Sequence, residues 1–228
     1  MAMTSKPSHS LEVLLGQPLQ SAGDLAASAG DKTTIGGIEM ASQREPVRKR
    51  PPVENWNPPY CGDIGMTIKR DGSWHYRGSP ILRPGMVSLF ASILQRESDG
   101  RHFLVTPVEK VLVTVEDAPF LGVEIGSLGE GRAQTLVVRT NVDDVVRIGA
   151  EHPLRFEAMP DGGLKPYVRV RGRLEALLTR AMTYELVELV VSDGGHGGDH
   201  AVSSQRDGIW SGGCFFPLDA NGSAESGR

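Results

Sequence analysis

Few side chains in this 228-residue chain are spaced for chemistry. The run His196-Gly197-Gly198-Asp199-His200 sets two imidazoles and a carboxylate within five residues, a donor set suited to Zn or Ni. Its glycines, and the Gly/Ser-rich stretch 192–208 around it, offer no scaffold to hold those donors in a fixed geometry. A loose loop is expected there, with no metal site and no cofactor. Cys61, which precedes Gly62-Asp63, can be paired on paper with His75 or His152 as a thiol nucleophile, but the spacing does not require it, and a free cysteine behaves more often as a small buried hydrophobe. The phosphate-loop, GxGxxG, HExxH, GxSxG and kinase patterns are all missing, and no catalytic residue is assigned.

Two polar clusters remain, both at joints between elements. Thr106-Pro107-Val108-Glu109-Lys110 lies between two strand-like runs; Asn141-Val142-Asp143-Asp144 follows another, with Glu151-His152-Pro153-Leu154-Arg155 close behind. Polar groups at element ends are where a few fixed donors and acceptors orient a small molecule. Arg83, Lys110, Arg155 and Arg169 would suit a phosphate, whose oxygens match guanidinium donors. The first reading is therefore a binding protein for a nucleotide-like or phosphorylated ligand, held at the interface of two halves. Thr106, Glu109, His152 and the four cations complete its site, and Asn141, Asp143 and Asp144 contact ribose or base. The same clusters read equally well as solvated turns with structural ion pairs. Two other functions stay open: an adaptor recruiting a protein partner through a sheet edge or a basic linker, and a hydrolase or transferase with Glu109 or Asp143 as general base assisted by His152.

The elements that would carry these groups follow from periodicity. Residues 1–44 are rich in Ser, Ala and Gly and read as a mobile extension, and Arg44 to Pro52 as a Pro-punctuated basic linker. Ile64–Lys69 and Trp74–Arg77 flank Asp71-Gly72 as a hairpin, and Met86, Leu89, Phe90, Ile93 and Leu94 repeat at helical spacing, predicting a helix that ends near Ser98. Strands are expected at Phe103–Thr106, Val111–Val115, Phe120–Ile125, Gln134–Thr140, Leu154–Ala158 and Tyr167–Val170, then a helix from about Arg173 to Val191 with Leu174, Leu177, Leu178, Ala181, Met182, Leu186 and Leu189 on its buried face. Asp71-Gly72, Arg77-Gly78 and a helix recur as Asp161-Gly162, Arg171-Gly172 and a helix, which predicts a duplication with offsets of 90 and 94 residues. Trp210, Phe215 and Phe216 predict a docked last strand. The fold class is α+β: two related hairpin-plus-helix halves with antiparallel sheets, at 45–126 and 127–218, and a disordered tail at 219–228.

Composition narrows the classes. With 39% hydrophobic and 23% charged residues the chain is an ordinary globular protein, and a net charge of −4 gives no general attraction for nucleic acid. Two distant cysteines argue against a zinc ribbon or a disulfide framework, and no apolar run approaches membrane-spanning length. A cytoplasmic location is expected, with no membrane and no nucleic-acid partner.

Several motifs in order carry a family resemblance: Trp56-Asn57-Pro58-Pro59-Tyr60-Cys61-Gly62-Asp63-Ile64, Asp71-Gly72-Ser73-Trp74, Phe103 to Lys110, Val115-Glu116-Asp117-Ala118-Pro119-Phe120-Leu121, Trp210-Ser211-Gly212-Gly213 and Phe215-Phe216-Pro217. Over roughly residues 45–218 the chain resembles the bacterial domain-of-unknown-function family 1285. The resemblance implies a duplicated α+β core whose C-terminal half looks superficially like a pleckstrin-homology fold, a site for a nucleotide-like ligand where the halves meet, and a role in signal transduction. It implies no reaction and no catalytic residues.

Overall fold

The computed structural model of the chain describes residues 50–191 and 206–219, and, as backbone alone, 32–35, 38–41, 192–193 and 225–226. The His196–His200 motif, and most of the N-terminal extension and of the tail, lie outside the described residues. Within the extension, β1 (Lys32–Ile35) and β2 (Ile38–Ala41) form a two-stranded sheet. The rest divides into two compact units between Glu116 and Asp117, with Arg70–Gly72 grouped with the second.

In the first unit Ile64, Met66 and Ile68 are buried at alternate positions, so β3 (Tyr60–Ile68) turns one apolar edge inward. It pairs with β4 (Trp74–Tyr76), which pairs with the two-residue β5 (Ser79–Pro80). Helix α1 (Pro84–Ser92) follows, with Pro84 at a first-turn position where the missing N–H costs nothing. A second meander consists of β6 (Leu94–Arg96), β7 (His102–Val105) and β8 (Lys110–Val115). β8 lies parallel to β3, with Met66 opposite Val113 and Ile68 opposite Val115, giving the strand order β5-β4-β3-β8-β7-β6. The core gathers Trp74 stacked on Phe90 at 6.2 Å, with Phe103 and Leu104 fully enclosed.

The second unit repeats this plan. β9 (Phe120–Leu128), β10 (Thr135–Thr140) and β11 (Val145–Arg147) form one meander; β12 (Leu154–Ala158), β13 (Leu164–Arg171) and β14 (Leu174–Leu178) form the other. β14 runs parallel to β9, and the order β11-β10-β9-β14-β13-β12 matches the first sheet strand for strand. Helix α2 (Arg180–Glu188) packs on β9 and β14. A four-stranded sheet of β15 (Val191–Asp193), β16 (Arg206–Ser211), β17 (Cys214–Pro217) and β18 (Glu225–Ser226) completes the unit. The expected docked C-terminal strand is β16–β17, a hairpin turned by Gly212 and Gly213 at φ 57° and 75°, the handedness a two-residue hairpin loop requires. Ser211 locks it down: its hydroxyl accepts from Leu136 N at 2.8 Å and donates to the Ile148 carbonyl at 2.7 Å.

Five expectations are corrected. The sheets are mixed rather than antiparallel, because in each unit the first strand of one meander meets the last strand of the other side by side. The first helix stops at Ser92; Leu94 leaves the helical face to pair with Leu104, and Leu89 is 44% exposed. The second helix starts at Arg180, since Leu174, Ala176 and Leu178 alternate inward as β14 and take their hydrogen bonds from β9 and β13. The spacing of these leucines suits either period, and pairing to two neighbouring strands outweighs local preference. The duplication is present but in another register. Asp99-Gly100 turns β6 into β7 as Asp161-Gly162 turns β12 into β13, an offset of 62 residues (161 − 99). Each Asp Oδ1 accepts from the backbone N–H two residues on, Arg101 at 3.0 Å and Gly163 at 3.1 Å. The helices are not repeat-related, for α1 links the two meanders and α2 follows the second. Strand Phe120–Leu128, expected with the first half, belongs wholly to the second sheet.

Candidate functional site

The sequence-selected residues fall into four places. Arg83 stands exposed at the start of α1. Thr106, Glu109 and Lys110 share the β7–β8 turn, where Thr106 Oγ1 accepts from Glu109 N at 3.1 Å and Lys110 donates to Glu97 at 2.7 Å. Asn141, Asp143 and Asp144 form the β10–β11 turn, each with a structural partner. Asn141 Oδ1 accepts from Leu121 N at 3.0 Å, Asp143 accepts from Arg139 at 3.0 Å, and buried Asp144 pairs with Arg171, whose guanidinium also lies 4.8 Å over the Phe120 ring. Asp143 holds φ 63°, the left-handed conformation asparagine and aspartate tolerate in turns. These bonds close the two turns and tie them to neighbouring strands.

The remaining three, His152, Arg155 and Arg169, come together on the second unit. Strand alternation places Arg155 on β12, Lys165, Tyr167 and Arg169 on β13, and Glu175 on β14 on one face, because Arg155 is opposite Tyr167 and Arg169 is opposite Glu175 in register. Glu175 grips Arg155 bidentately, accepting from Nε at 2.7 Å and Nη2 at 2.9 Å. The third nitrogen, Nη1, is 3.5 Å from Glu157. The guanidinium lies 4.1 Å over the Tyr167 ring, so both its charge and its plane are set before anything binds. Tyr167 is fixed in turn: its hydroxyl donates to Asp117 Oδ1 at 2.6 Å, and Asp117 Oδ2 accepts from Lys165 at 2.7 Å. Burial works against charge on Asp117, but the hydrogen bonds from Lys165 and Tyr167 outweigh it and hold the carboxyl below its ordinary range. Burial, reinforced by the bond to Asp117, pushes the Tyr167 phenol up, so it remains a donor. The Glu175 hydrogen bonds make Arg155 harder still to deprotonate.

Arg169 differs from its neighbours. Its backbone accepts from His152 Nδ1 at 3.0 Å, yet its exposed guanidinium has no side-chain partner among the described residues. Because a carbonyl can only accept, His152 carries its proton on Nδ1. Sequence reasoning singled out Arg155 and Arg169 but missed Asp117, Lys165, Tyr167 and Glu175; the polar alternation Lys165, Tyr167, Arg169 along one strand was the available signal. Among the described residues, no group of three or more His, Cys, Asp or Glu is placed to hold a metal, and no helix is long and apolar enough to cross a membrane.

Two six-stranded sheets of identical strand order in one chain define a tandem-duplicated, sheet-rich protein. Residues 51–118 match the N-terminal domain of the domain of unknown function DUF1285, and residues 119–218 match the C-terminal domain of the protein of unknown function DUF1285. The chain belongs to the DUF1285 family. It is similar to the crystal structure of a DUF1285 family protein from Silicibacter pomeroyi DSS-3, with 46% identity over 75% of this chain and 88% of that one, at a TM-score of 0.68. A DUF1285 family protein from Shewanella baltica OS155 is 31% identical over 55% of this chain and 91% of that one, with a TM-score of 0.44. No curated protein matches the sequence.

Proposed function

We propose that this protein binds a small anionic ligand, nucleotide-like or phosphorylated, on the open face of β12–β14, and that binding serves signal transduction in the cytoplasm. The observation that carries the reading is the contrast between two neighbouring guanidiniums. Arg155 is clamped by Glu175 and stacked on Tyr167, whereas Arg169, diagonal to it across the β12–β13 pair, is exposed with no side-chain partner among the described residues. A preset cation beside an unspent one suits a phosphate, whose oxygens take several N–H donors at once. Nη1 of Arg155, at 3.5 Å from Glu157, holds the weakest of its contacts and is the donor a ligand oxygen would capture. The same reading takes the second unit, a sheet followed by α2, as a superficially pleckstrin-homology-like module. A protein-interaction role is the second reading, favoured by the exposed Tyr184 and Val187 of α2.

The test is thermal unfolding against a panel of mono-, cyclic and dinucleotides and of phosphorylated metabolites. A ligand at about 100 times its Kd stabilises the folded state by about 2.7 kcal/mol, a clear rise in Tm. Arg169→Ala should abolish that rise while leaving the Tm of the free protein unchanged. A panel without any shift, or a shift that survives Arg169→Ala, refutes the proposal.

A further inference from the structure

Helix α2 carries its charges the wrong way round for a helix that works alone. Its first turn has Arg180 and no acid, and its end has Glu185 and Glu188 and no base, whereas a helix macrodipole favours anions at the start and cations at the end. Met182 and Leu186 face the sheet. On the opposite side Tyr184 and Val187 are 58% and 57% exposed, with Val191 at 41% just beyond the helix. At 100° per residue Arg180, Tyr184 and Val187 fall on one ridge, with Glu188 beside it. Among the described residues the ridge has no apolar cover, and the Arg180 guanidinium folds back to donate to the Tyr184 hydroxyl at 2.9 Å.

We infer that this ridge pairs with the same ridge of a second copy of the chain. Arg180 and Glu188 lie four residues to either side of Tyr184, so a two-fold axis passing at Tyr184 lays two α2 helices antiparallel. It then brings Arg180 of each copy to Glu188 of the other and covers the Tyr184 and Val187 side chains. Arg180 and Glu188 each acquire a partner of opposite sign, and each helix start receives an acid. The helix has nine residues, about 14 Å in length, so the contact lies at the small end of specific interfaces and the dimer is a weak, concentration-dependent one.

Sedimentation equilibrium of the full chain from low micromolar to near-millimolar concentration tests this, with circular dichroism to show that every variant is folded. The wild type should pass from monomer to dimer across the range. Arg180→Glu and Glu188→Arg should each weaken association at least tenfold, because each sets like charges against each other. An equal mixture of the two variants should recover association as a heterodimer, since one copy then offers two acids and the other two bases. A monomer throughout the range overturns the inference and leaves the ridge to a different partner, and a dimer that both single variants leave intact overturns it by placing the contact elsewhere.

Discussion

Asp117 joins two donors from one strand, and removing it should unsettle the face that carries Arg155. Its side chain is 10% exposed and accepts from the Tyr167 hydroxyl at 2.6 Å and from Lys165 at 2.7 Å. In Asp117→Ala the Lys165 ammonium, 29% exposed, turns to solvent, and its loss is worth at most about 1 kcal/mol. The Tyr167 hydroxyl, on a residue that is 3% exposed, is left without its acceptor at a cost of about 1–3 kcal/mol. The sum is a destabilisation of about 1–4 kcal/mol. Tyr167→Phe keeps the ring beneath Arg155 and loses only the hydroxyl, so about 1–2 kcal/mol is expected. In the double variant no hydroxyl is orphaned, and the two losses should fall short of their sum by about 1–2 kcal/mol. Urea unfolding of the four proteins measures this, provided the slopes agree. Additivity within about 0.5 kcal/mol would show that the two groups do not depend on each other and would refute the account of how the face is held.

Acid should reveal the same carboxylate. Its value in the folded protein lies below the unfolded one, so its contribution is complete above about pH 4 and is lost as the pH falls through the depressed value; a pH series of urea midpoints should show that loss in the wild type and a shallower one in Asp117→Ala. Gly208→Ala should destabilise the second unit by at least about 1–3 kcal/mol in the same unfolding assay, because a Cβ there would stand 2.7 Å from the Phe216 carbonyl oxygen, which belongs to the paired strand and cannot move aside. Asp144→Ala, which takes one carboxylate partner from the largely enclosed Arg171 guanidinium, should cost about 1–3 kcal/mol by denaturant titration, whereas exposed Asp143→Asn, which loses the ion pair to Arg139 but keeps a residue that tolerates φ 63°, should cost under about 1 kcal/mol.

Much of this protein was legible in one dimension. The hairpin around Asp71-Gly72, the strands at Phe103, Val111, Phe120, Thr135, Leu154 and Tyr167, and the docked Trp210–Phe216 segment are all set by local pattern: apolar alternation, β-branched residues and turn dipeptides act within a few residues of themselves. That the chain contains a repeat was also visible, as was the cationic character of Arg155 and Arg169. Three things were decided only in three dimensions. Leu174–Leu178 became a strand because, beside its hairpin partner β13, β9 supplies hydrogen bonds from 56 residues away (176 − 120), which no window around the segment contains. The repeat register followed from which strands pair, and Asp-Gly turns recur too often to fix it alone. Of the polar residues clustered at Thr106 and Asn141, some close their own turns and others bond to neighbouring strands, while the candidate site arises where β12, β13 and β14 present one face. The register between paired strands determines which side chains share a surface, and that register is a property of the assembled sheet, which spacing along the chain does not encode.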